Sequence, residues 1–475
     1  MCLLFVNRKG RTHMLDEKKL ESYLTLCMKS EADFAEIFEE DRISEEISAL
    51  NDRVEKVNRT ITKGAGIRLY KGLQSVYGYS NETDDESMTK LINDLRNAIG
   101  EKEKGVSVKL ERVNYENRHP VRTQFDSVSQ NDKAQLLIRV YNGAKSADEK
   151  IVKVQSLLLN VRQNVQISNS EGRLISDTRV RTRIRANAYA EENGKMQSGF
   201  FGPGAGMGLE FYETTVPEDI GKEAARVALV NLNAVDCPSG KMPVVIDNGF
   251  GGVIFHEACG HSLEATSVAR NASVFAGKLG TKIANECVSA VDDGTIPNAW
   301  GSQNIDDEGN FQQRRQLIKD GVLTSYMIDR LNGRRMHMDS TSSGRRESYQ
   351  FEPTSRMSNT FITEGNATFE ELFEDIEKGL YAKRMGGGSV NPQTGEFNFS
   401  VQEGYLIENG KITVPVKGAA LIGSGAEILL NIEKVCSNLS RSQGMCGSRS
   451  GSIPTDVGQP AIRISSITVG GTSNE

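Results

Sequence analysis

Two histidines and a glutamate lie within six residues of this 475-residue chain, in the run His256-Glu257-Ala258-Cys259-Gly260-His261. The chain has five histidines in all, so the pair accounts for a large share of its imidazole groups. Imidazole is the commonest metal ligand at neutral pH, and a carboxylate beside a metal-bound water acts as a general base. These residue types are the minimal parts of a zinc hydrolase. The alternative is a histidine pair at the end of a buried helix that makes ordinary hydrogen bonds.

The spacing of the two histidines bears on this choice. His256 and His261 are five positions apart, which on a regular helix separates them by about 140° around the axis and roughly 7.5 Å along it. Two ligands of one zinc, each about 2.0–2.1 Å from the ion, are not easily reached from such positions. A one-residue π-bulge would bring them together, and Gly260 tolerates that distortion. The sequence therefore predicts either a zinc site on an irregular helix or a chance pair.

A catalytic zinc site needs a third protein ligand, since such sites take three and leave one position for water. Glu264 follows His261 by three residues and shares its helix face. Cys259 lies inside the motif, where ligation together with both histidines would strain a single turn. Cys446 is flanked by glycines in a segment that we interpret as a loop. The residue pattern alone leaves these three candidates open.

Bulk composition limits the class of protein. Hydrophobic content of 37% and charged content of 25% are typical of a soluble globular chain. The net charge of −6 argues against a broad nucleic-acid surface. No run approaches the roughly 18–20 apolar residues of a membrane span. The seven cysteines are dispersed without framework spacing, which favours a reduced, cytoplasmic protein.

Hydrophobic periodicity predicts an α+β protein, in which N-terminal α/β subdomains precede a β-rich C-terminal domain that carries the metal-site helix. We expect helices over residues 15–30, 84–99, 127–146, 215–235 and 368–378, and a hairpin over residues 64–79. The expected organisation is an extension (1–13), an N-terminal α+β subdomain with a linker (14–122), a helix plus β-rich middle segment (123–236), and a C-terminal domain that carries the histidine motif (237–475).

One predicted strand, residues 179–186, has an unusual face. Its side chains alternate, so that Arg179, Arg181, Arg183 and Arg185 point one way and smaller or apolar residues point the other. The favoured interpretation is a solvated strand face paired with acidic neighbours. The alternative is a basic wall of a substrate channel.

Several motifs together resemble one known family. They are the histidine motif, residues 385–392 (MGGGSVNP), 395–400 (GEFNFS), 415–419 (PVKGA) and 444–447 (GMCG), with 64–68 (GAGIR) near the N-terminus. This combination is similar to the TldD branch of the TldD/PmbA metalloproteases. The resemblance runs from about residue 30 to the C-terminus, and it is specific because the motifs occur together.

The resemblance implies a ligand set and a mechanism. His256, His261 and Cys446 would bind Zn2+, and Glu257 would be the general base. Family members form dimers, either homodimers or pairs with a PmbA-like subunit, that enclose a chamber for unfolded or extended peptides. PmbA-type subunits lack the ligands, so this chain resembles the metal-bearing partner. Cys259 departs from the small apolar residue expected at its position.

The sequence thus leads to a functional hypothesis with two rivals. The hypothesis is a cytoplasmic zinc-dependent peptidase that hydrolyses peptide bonds of unfolded or extended peptides inside a dimer chamber. The main alternative is a non-catalytic regulatory protein that binds partners and is stabilised by zinc with four protein ligands, the fourth from Cys259 or Glu264. The third is a zinc amidase that acts on a small molecule.

Overall fold

The computed structural model describes residues 14–391 and 394–472, so the predicted extension over residues 1–13 lies outside the described residues. The fold is α+β, as predicted, and strands predominate in it. Among the described residues, no helix combines the length and the apolar character needed to cross a membrane.

The N-terminal part is built from two helices and a long antiparallel hairpin. Its elements are α1 (Glu17–Met28), β1 (Phe34–Leu50), β2 (Arg53–Lys71), β3 (Gln74–Ser80), α2 (Asp85–Ile99) and β4 (Glu111–Arg112). The hairpin predicted over residues 64–79 is confirmed as the end of β2 paired with β3. Strand β1 is long and uninterrupted, and β2 and β5 pair with it along nearly all its length.

The middle part extends the same sheet. Its elements are α3 (Gln130–Lys145), β5 (Ile151–Asn169), β6 (Arg173–Glu192), β7 (Lys195–Phe201), β8 (Gly204–Ala205), α4 (Phe211–Thr214) and α5 (Pro217–Leu232). The resulting eight-stranded sheet has the order β3-β2-β1-β5-β6-β4, with β7 and β8 also paired to β6. Helices α3 and α5 pack closely because Gly221 has no side chain, and a Cβ there would lie 1.9 Å from the Val140 carbonyl oxygen.

The C-terminal part is rich in strands, as predicted. Its elements are β9 (Val235–Asp236), β10 (Gly240–Ile246), α6 (Val253–Phe255), α7 (Ala265–Val268), β11 (Ala290–Asp293), β12 (Arg314–Lys319), β13 (Val322–Leu323), α8 (Arg330–Met336), β14 (Gly344–Arg345), β15 (Thr354–Ser355), β16 (Asn359–Ile362), β17 (Lys378–Val390), β18 (Glu396–Glu408), β19 (Lys411–Lys417), β20 (Ala420–Ser424), α9 (Gly425–Asn431), β21 (Ile432–Val435), β22 (Ser440–Ser448), β23 (Gly451–Gln459) and β24 (Ile462–Gly470).

Two sheets of this part enclose the metal-site helix. One has the order β17-β10-β24-β20-β18-β19-β9, and an additional β17–β18 pairing closes it on itself. The other has the order β13-β12-β11-β16-β23-β22. Phe255, Ala258 and Leu263 of the helical segment are buried in one core with residues from both sheets, such as Phe399 and Ile362. The helix is therefore held by packing on two sides.

The prediction of a helix over residues 368–378 is wrong. The structure has only a 3₁₀ turn there, Glu370–Leu372, and Lys378 begins a strand. Thr368 and Glu371 do exchange backbone-to-side-chain hydrogen bonds, which is the capping box typical of a helix N-terminus. However, Asp375 has a left-handed φ of 60°, and Leu372, Phe373 and Ile376 are buried against Tyr381 in a small cluster. Tertiary packing thus overrides the local helical signal.

The strand predicted over residues 179–186 is part of β6. The prediction that its arginine face is solvated is wrong. Arg179, Arg181 and Arg183 are buried against the C-terminal part of the chain. Arg179 Nη1 lies 2.6 Å from Asp307 Oδ1, and Arg181 Nε donates to the Trp300 carbonyl. These side chains join the N-terminal sheet to the metal-site part of the protein.

Further buried charges cross the same boundary. Arg68 of β2 lies 2.9 Å from both Glu36 and Glu308, and Arg346 lies 2.7 Å from Glu36. All four side chains are at most 1% exposed. Loss of one partner would leave an uncompensated buried charge, which costs far more than the intact pairs contribute.

We therefore expect Arg179→Ala to destabilise the protein by about 3–5 kcal/mol, because Asp177 and Asp307 would remain buried without their cation. Chemical denaturation measures this loss. Arg59→Ala, on the exposed part of β2, is the matched control and should change stability by no more than about 0.5 kcal/mol. Equal stability of the two variants would contradict the conclusion that the buried ion pairs of Arg179 stabilise the boundary between the two parts.

Candidate metal centre

The histidine motif lies on a helix that changes its winding three times. A 3₁₀ turn (Gly249–Gly252) leads into α6, which is followed by a π turn over His256–Gly260 and a 3₁₀ turn over His261–Leu263. The His261 backbone N–H donates to the His256 carbonyl, five residues earlier. The two imidazole rings consequently lie edge to face with centroids 5.2 Å apart. The widening predicted from the histidine spacing is present.

Glycines allow the rest of the protein to approach this turn. A Cβ on Gly260 would lie 2.3 Å from Met357 Sδ, and a Cβ on Gly425 would lie 2.0 Å from the Ala258 carbonyl oxygen. Both distances are far below normal contact. Gly260 therefore serves close packing under the motif as well as the local winding.

Cys446 lies near the histidines on a strand, so the prediction of a loop around it is wrong. It lies in β22 and is paired with Ile453 of β23, because the chain reverses immediately afterwards at Gly451. Its Sγ is 3.3 Å from the Nε2 atoms of both His256 and His261. Among the described residues, these three form the group whose ligand atoms all lie within 4.8 Å of one another.

Glu257 lies beside this group on its more open side. Its Oε2 is 3.5 Å from His261 Nε2, and its side chain is 24% exposed. By contrast, His256 is 2% exposed and Cys446 is 3% exposed. The carboxylate can thus meet solvent or a substrate while the candidate ligands are shielded.

The two other candidate ligands point elsewhere. Glu264 Oε1 lies 3.3 Å from Nδ1 of His261, the nitrogen that faces away from Cys446. Cys259 Sγ is buried and lies 3.8 Å from the Gly425 carbonyl oxygen. Neither belongs to the converging group of the described residues. Glu264 is placed to orient His261, and Cys259 is placed as an ordinary core side chain.

The electrostatics distinguish the two cysteines. Burial raises the pKa of the Cys446 thiol, but His256 and His261 outweigh it and hold that pKa well below its usual range. Burial lowers the pKa of His261, whereas Glu264 and Cys446 carry it well above its usual range. Burial alone raises the pKa of Cys259. The surroundings therefore favour a thiolate at Cys446 and a neutral thiol at Cys259.

The donor set fits a zinc ion. Two imidazole nitrogens and one thiolate are ligands that zinc prefers, and a tetrahedral site with normal bond lengths separates nitrogen from sulfur by about 3.5 Å. The 3.3 Å separations between Cys446 Sγ and both Nε2 atoms are close to that value. Three protein donors leave one position of a tetrahedron for a ligand from outside the chain.

Comparison with known proteins covers most of the chain. Profiles of the PmbA/TldA metallopeptidase domain 1, central domain and C-terminal domain match residues 35–99, 123–232 and 239–471. A protein named metalloprotease TldD homolog, from Haemophilus influenzae, is 40% identical over 87% of this chain and 88% of its own length. The chain belongs to the PmbA/TldD family. The predicted resemblance to its TldD branch is confirmed.

Other PmbA/TldD relatives extend the comparison. A zinc metalloprotease TldD homolog from Saccharolobus solfataricus is 32% identical over 49% of this chain and 52% of its own length. Among solved structures, a putative modulator of DNA gyrase from Thermotoga maritima has a TM-score of 0.78 at 20% identity, covering 95% of this chain and 100% of that one. TldE from Thermococcus kodakarensis has a TM-score of 0.74 at 17% identity, with coverage of 95% and 100%. At these identities the two structures show the shared PmbA/TldD fold.

One buried residue beside this candidate centre was not identified from the sequence. Arg356 is fully buried beneath the motif, with its Nε 3.8 Å from Glu264 Oε1 and its Nη2 donating to the Cys446 carbonyl. Nothing in the pattern around residue 356 indicates this role, because its partners lie about 90 residues away on either side.

Replacing each cysteine separately tests the ligand assignment. We expect Cys446→Ala to lose the bound divalent metal and Cys259→Ala to keep it, since only Cys446 Sγ faces both histidines. The bound metal per protein in each purified variant, measured by elemental mass spectrometry, shows which cysteine is a ligand. Metal loss in Cys259→Ala with retention in Cys446→Ala would reverse the assignment.

Proposed function

We propose that this protein is a zinc-dependent peptidase, with His256, His261 and Cys446 as zinc ligands and Glu257 as general base. The observation that carries the proposal is the convergence of three donor atoms within 4.8 Å beside a partly exposed carboxylate. The names of the relatives, which call them metalloproteases, also support it.

The ligands prepare the site for hydrolysis. When bound, zinc lowers the pKa of a coordinated water toward about 7 and polarises the carbonyl of the scissile bond. His256 and His261 offer Nε2, and Glu264 holds the far nitrogen of His261 so that its ring keeps one orientation. Cys446 offers a thiolate, whose negative charge makes the metal less electrophilic than three neutral imidazoles would.

Glu257 performs the proton transfers. Its Oε2 accepts a proton from the attacking water and then delivers it to the nitrogen of the leaving amine. The 3.5 Å separation from His261 Nε2 places this oxygen next to the ligand group without joining it. Because the side chain is 24% exposed, water and substrate can reach it from the same side.

The proposed substrates are unfolded or extended peptides. Strand β22, which carries Cys446, is the terminal strand of its sheet and has one edge with no strand partner among the described residues. Its Met445 is 49% exposed beside the candidate ligand. An extended peptide can add to such an edge through those main-chain groups of β22 that do not already bond Arg183, Trp300 or Arg356, which would select for unfolded segments with little regard to sequence.

The proposal includes a dimer and a compartment. The partner is a second copy or a PmbA-like subunit, and the pair encloses a chamber that limits access to the metal centre. The likeness in fold to a TldE structure supports partnership within the family. The described cysteines are all free thiols, which fits a reducing, cytoplasmic setting.

Replacing the base while keeping the metal tests the mechanism. We expect Glu257→Gln to lower the rate of casein or unfolded-peptide cleavage by about 10²- to 10⁴-fold, because the amide cannot accept the proton. Zinc content should be unchanged. Glu364→Gln, at an exposed position away from the centre, is the control and should keep full activity. Cleavage at the normal rate by zinc-loaded Glu257→Gln would defeat the base assignment.

Counting the ligands separates catalysis from the non-catalytic alternative. X-ray absorption of the zinc-loaded protein should show one sulfur neighbour at about 2.3 Å and three lighter neighbours at about 2.0–2.1 Å. Addition of an inhibitor with its own sulfur should convert one lighter neighbour to sulfur, since the fourth position is open. Two sulfur neighbours without inhibitor would mean that Cys259 also binds, and would favour a structural site.

A further inference from the structure

The segment around β15 packs against the metal-site helix. Arg356 follows this strand directly and has no solvent exposure. Met357 fills the space that a side chain at Gly260 would need, and the Ser355 N–H donates to Thr266 Oγ1 at 3.2 Å, just beyond the motif. The segment thus contacts the helix at several points.

On one side, the Arg356 guanidinium holds the hairpin that presents Cys446. Its Nη2 donates to the Cys446 carbonyl. Its Nη1 donates to Ser450 Oγ at 2.9 Å and to the Gly451 carbonyl at 3.0 Å. One planar group therefore fixes both arms of the β22–β23 turn, which sets where the Cys446 sulfur can lie.

On the other side, the same guanidinium faces the support of His261. Arg356 Nε lies 3.8 Å from Glu264 Oε1, and that oxygen lies 3.3 Å from His261 Nδ1. Arg356 Nε is buried and has no hydrogen-bond partner within the described residues, so its contact with Glu264 Oε1 is that of an ion pair. Glu264 is itself buried, so its negative charge needs a nearby cation, and Arg356 supplies one.

We propose that Arg356 is a positioning residue of the metal centre. It contacts Glu264, which in turn contacts His261, and it also binds the carbonyl of Cys446, so it couples the positions of these two ligands. The inference rests on the zinc site of the proposed function. Residues that orient a ligating histidine through its second nitrogen typically change metal affinity by 10- to 100-fold when mutated. Arginine suits the task because its donors lie in one rigid fork, so a movement of one partner is transmitted to the other.

Arg345 provides a matched control. It is also buried, at 1% exposure, and donates to the carbonyls of Met357 and Pro454 in the same region. Its hydrogen bonds reach neither Glu264 nor Cys446. Arg345→Met therefore removes an equally buried guanidinium and reproduces the general cost in stability without breaking the proposed coupling.

The experiment measures zinc affinity by competition with a chromophoric chelator, together with the visible spectrum of the cobalt-substituted protein. We expect Arg356→Met to weaken zinc binding by about 10- to 100-fold and to shift the cobalt bands, whereas Arg345→Met should leave both nearly unchanged. Arg356→Lys should recover part of the affinity, because it keeps the charge opposite Glu264 but cannot also reach the hairpin.

A second variant keeps the test decisive if Arg356→Met does not fold. Glu264→Gln interrupts the same path and should weaken zinc binding similarly, and combining it with Arg356→Lys should cost less than the sum of the single effects. Equal zinc affinities for the Arg356 and Arg345 variants, or strict additivity with Glu264→Gln, would overturn the positioning role. Failure of the unsubstituted protein to bind zinc would instead overturn the proposed function.

Discussion

The hydrogen bond from the His261 N–H to the His256 carbonyl is the interaction on which the candidate metal centre depends. It widens one helical turn, and only this widening turns two imidazoles five positions apart toward the same sulfur. A regular turn would separate them by about 140° around the helix axis. π turns are less favourable than α-helical winding, so the protein must stabilise this one by packing, which two sheets and the glycine contacts at Gly260 and Gly425 provide.

The same dependence on distant packing appears at the boundary between the N-terminal sheet and the metal-site part. Arg183 of β6 donates to the Gln443 carbonyl at 3.0 Å, and Trp300 Nε1 donates to the Gly444 carbonyl at 2.9 Å. Both acceptors precede Cys446 in β22. The N-terminal sheet is thus hydrogen-bonded, through Arg183, to the strand that carries a candidate ligand.

The sequence predicts part of this arrangement well. The spacing of the two histidines predicted an irregular helix if both bind one ion, because positions five apart on a regular helix lie about 140° apart around its axis. Cys446 was one of three open candidates from the residues, and the family resemblance selected it. The loop expected around it was wrong because Gly444 and Gly447 are accommodated in a strand whose register is set by β23. Which face of β6 is buried was also beyond a local pattern, since alternation does not reveal what packs on each face. The helix over residues 368–378 failed for the same reason, and Arg356 carried no local signal at all.

The order of the ligands along the chain has a consequence for biosynthesis. His256 and Cys446 are separated by 190 residues, and folding during synthesis proceeds from the N-terminal side. A nascent chain that has passed the histidines still lacks its sulfur donor and the hairpin that carries it. Under the proposed function, the three-ligand site can therefore be complete only after residue 446 has been synthesised, so a shorter nascent chain holds the two histidines without their third donor.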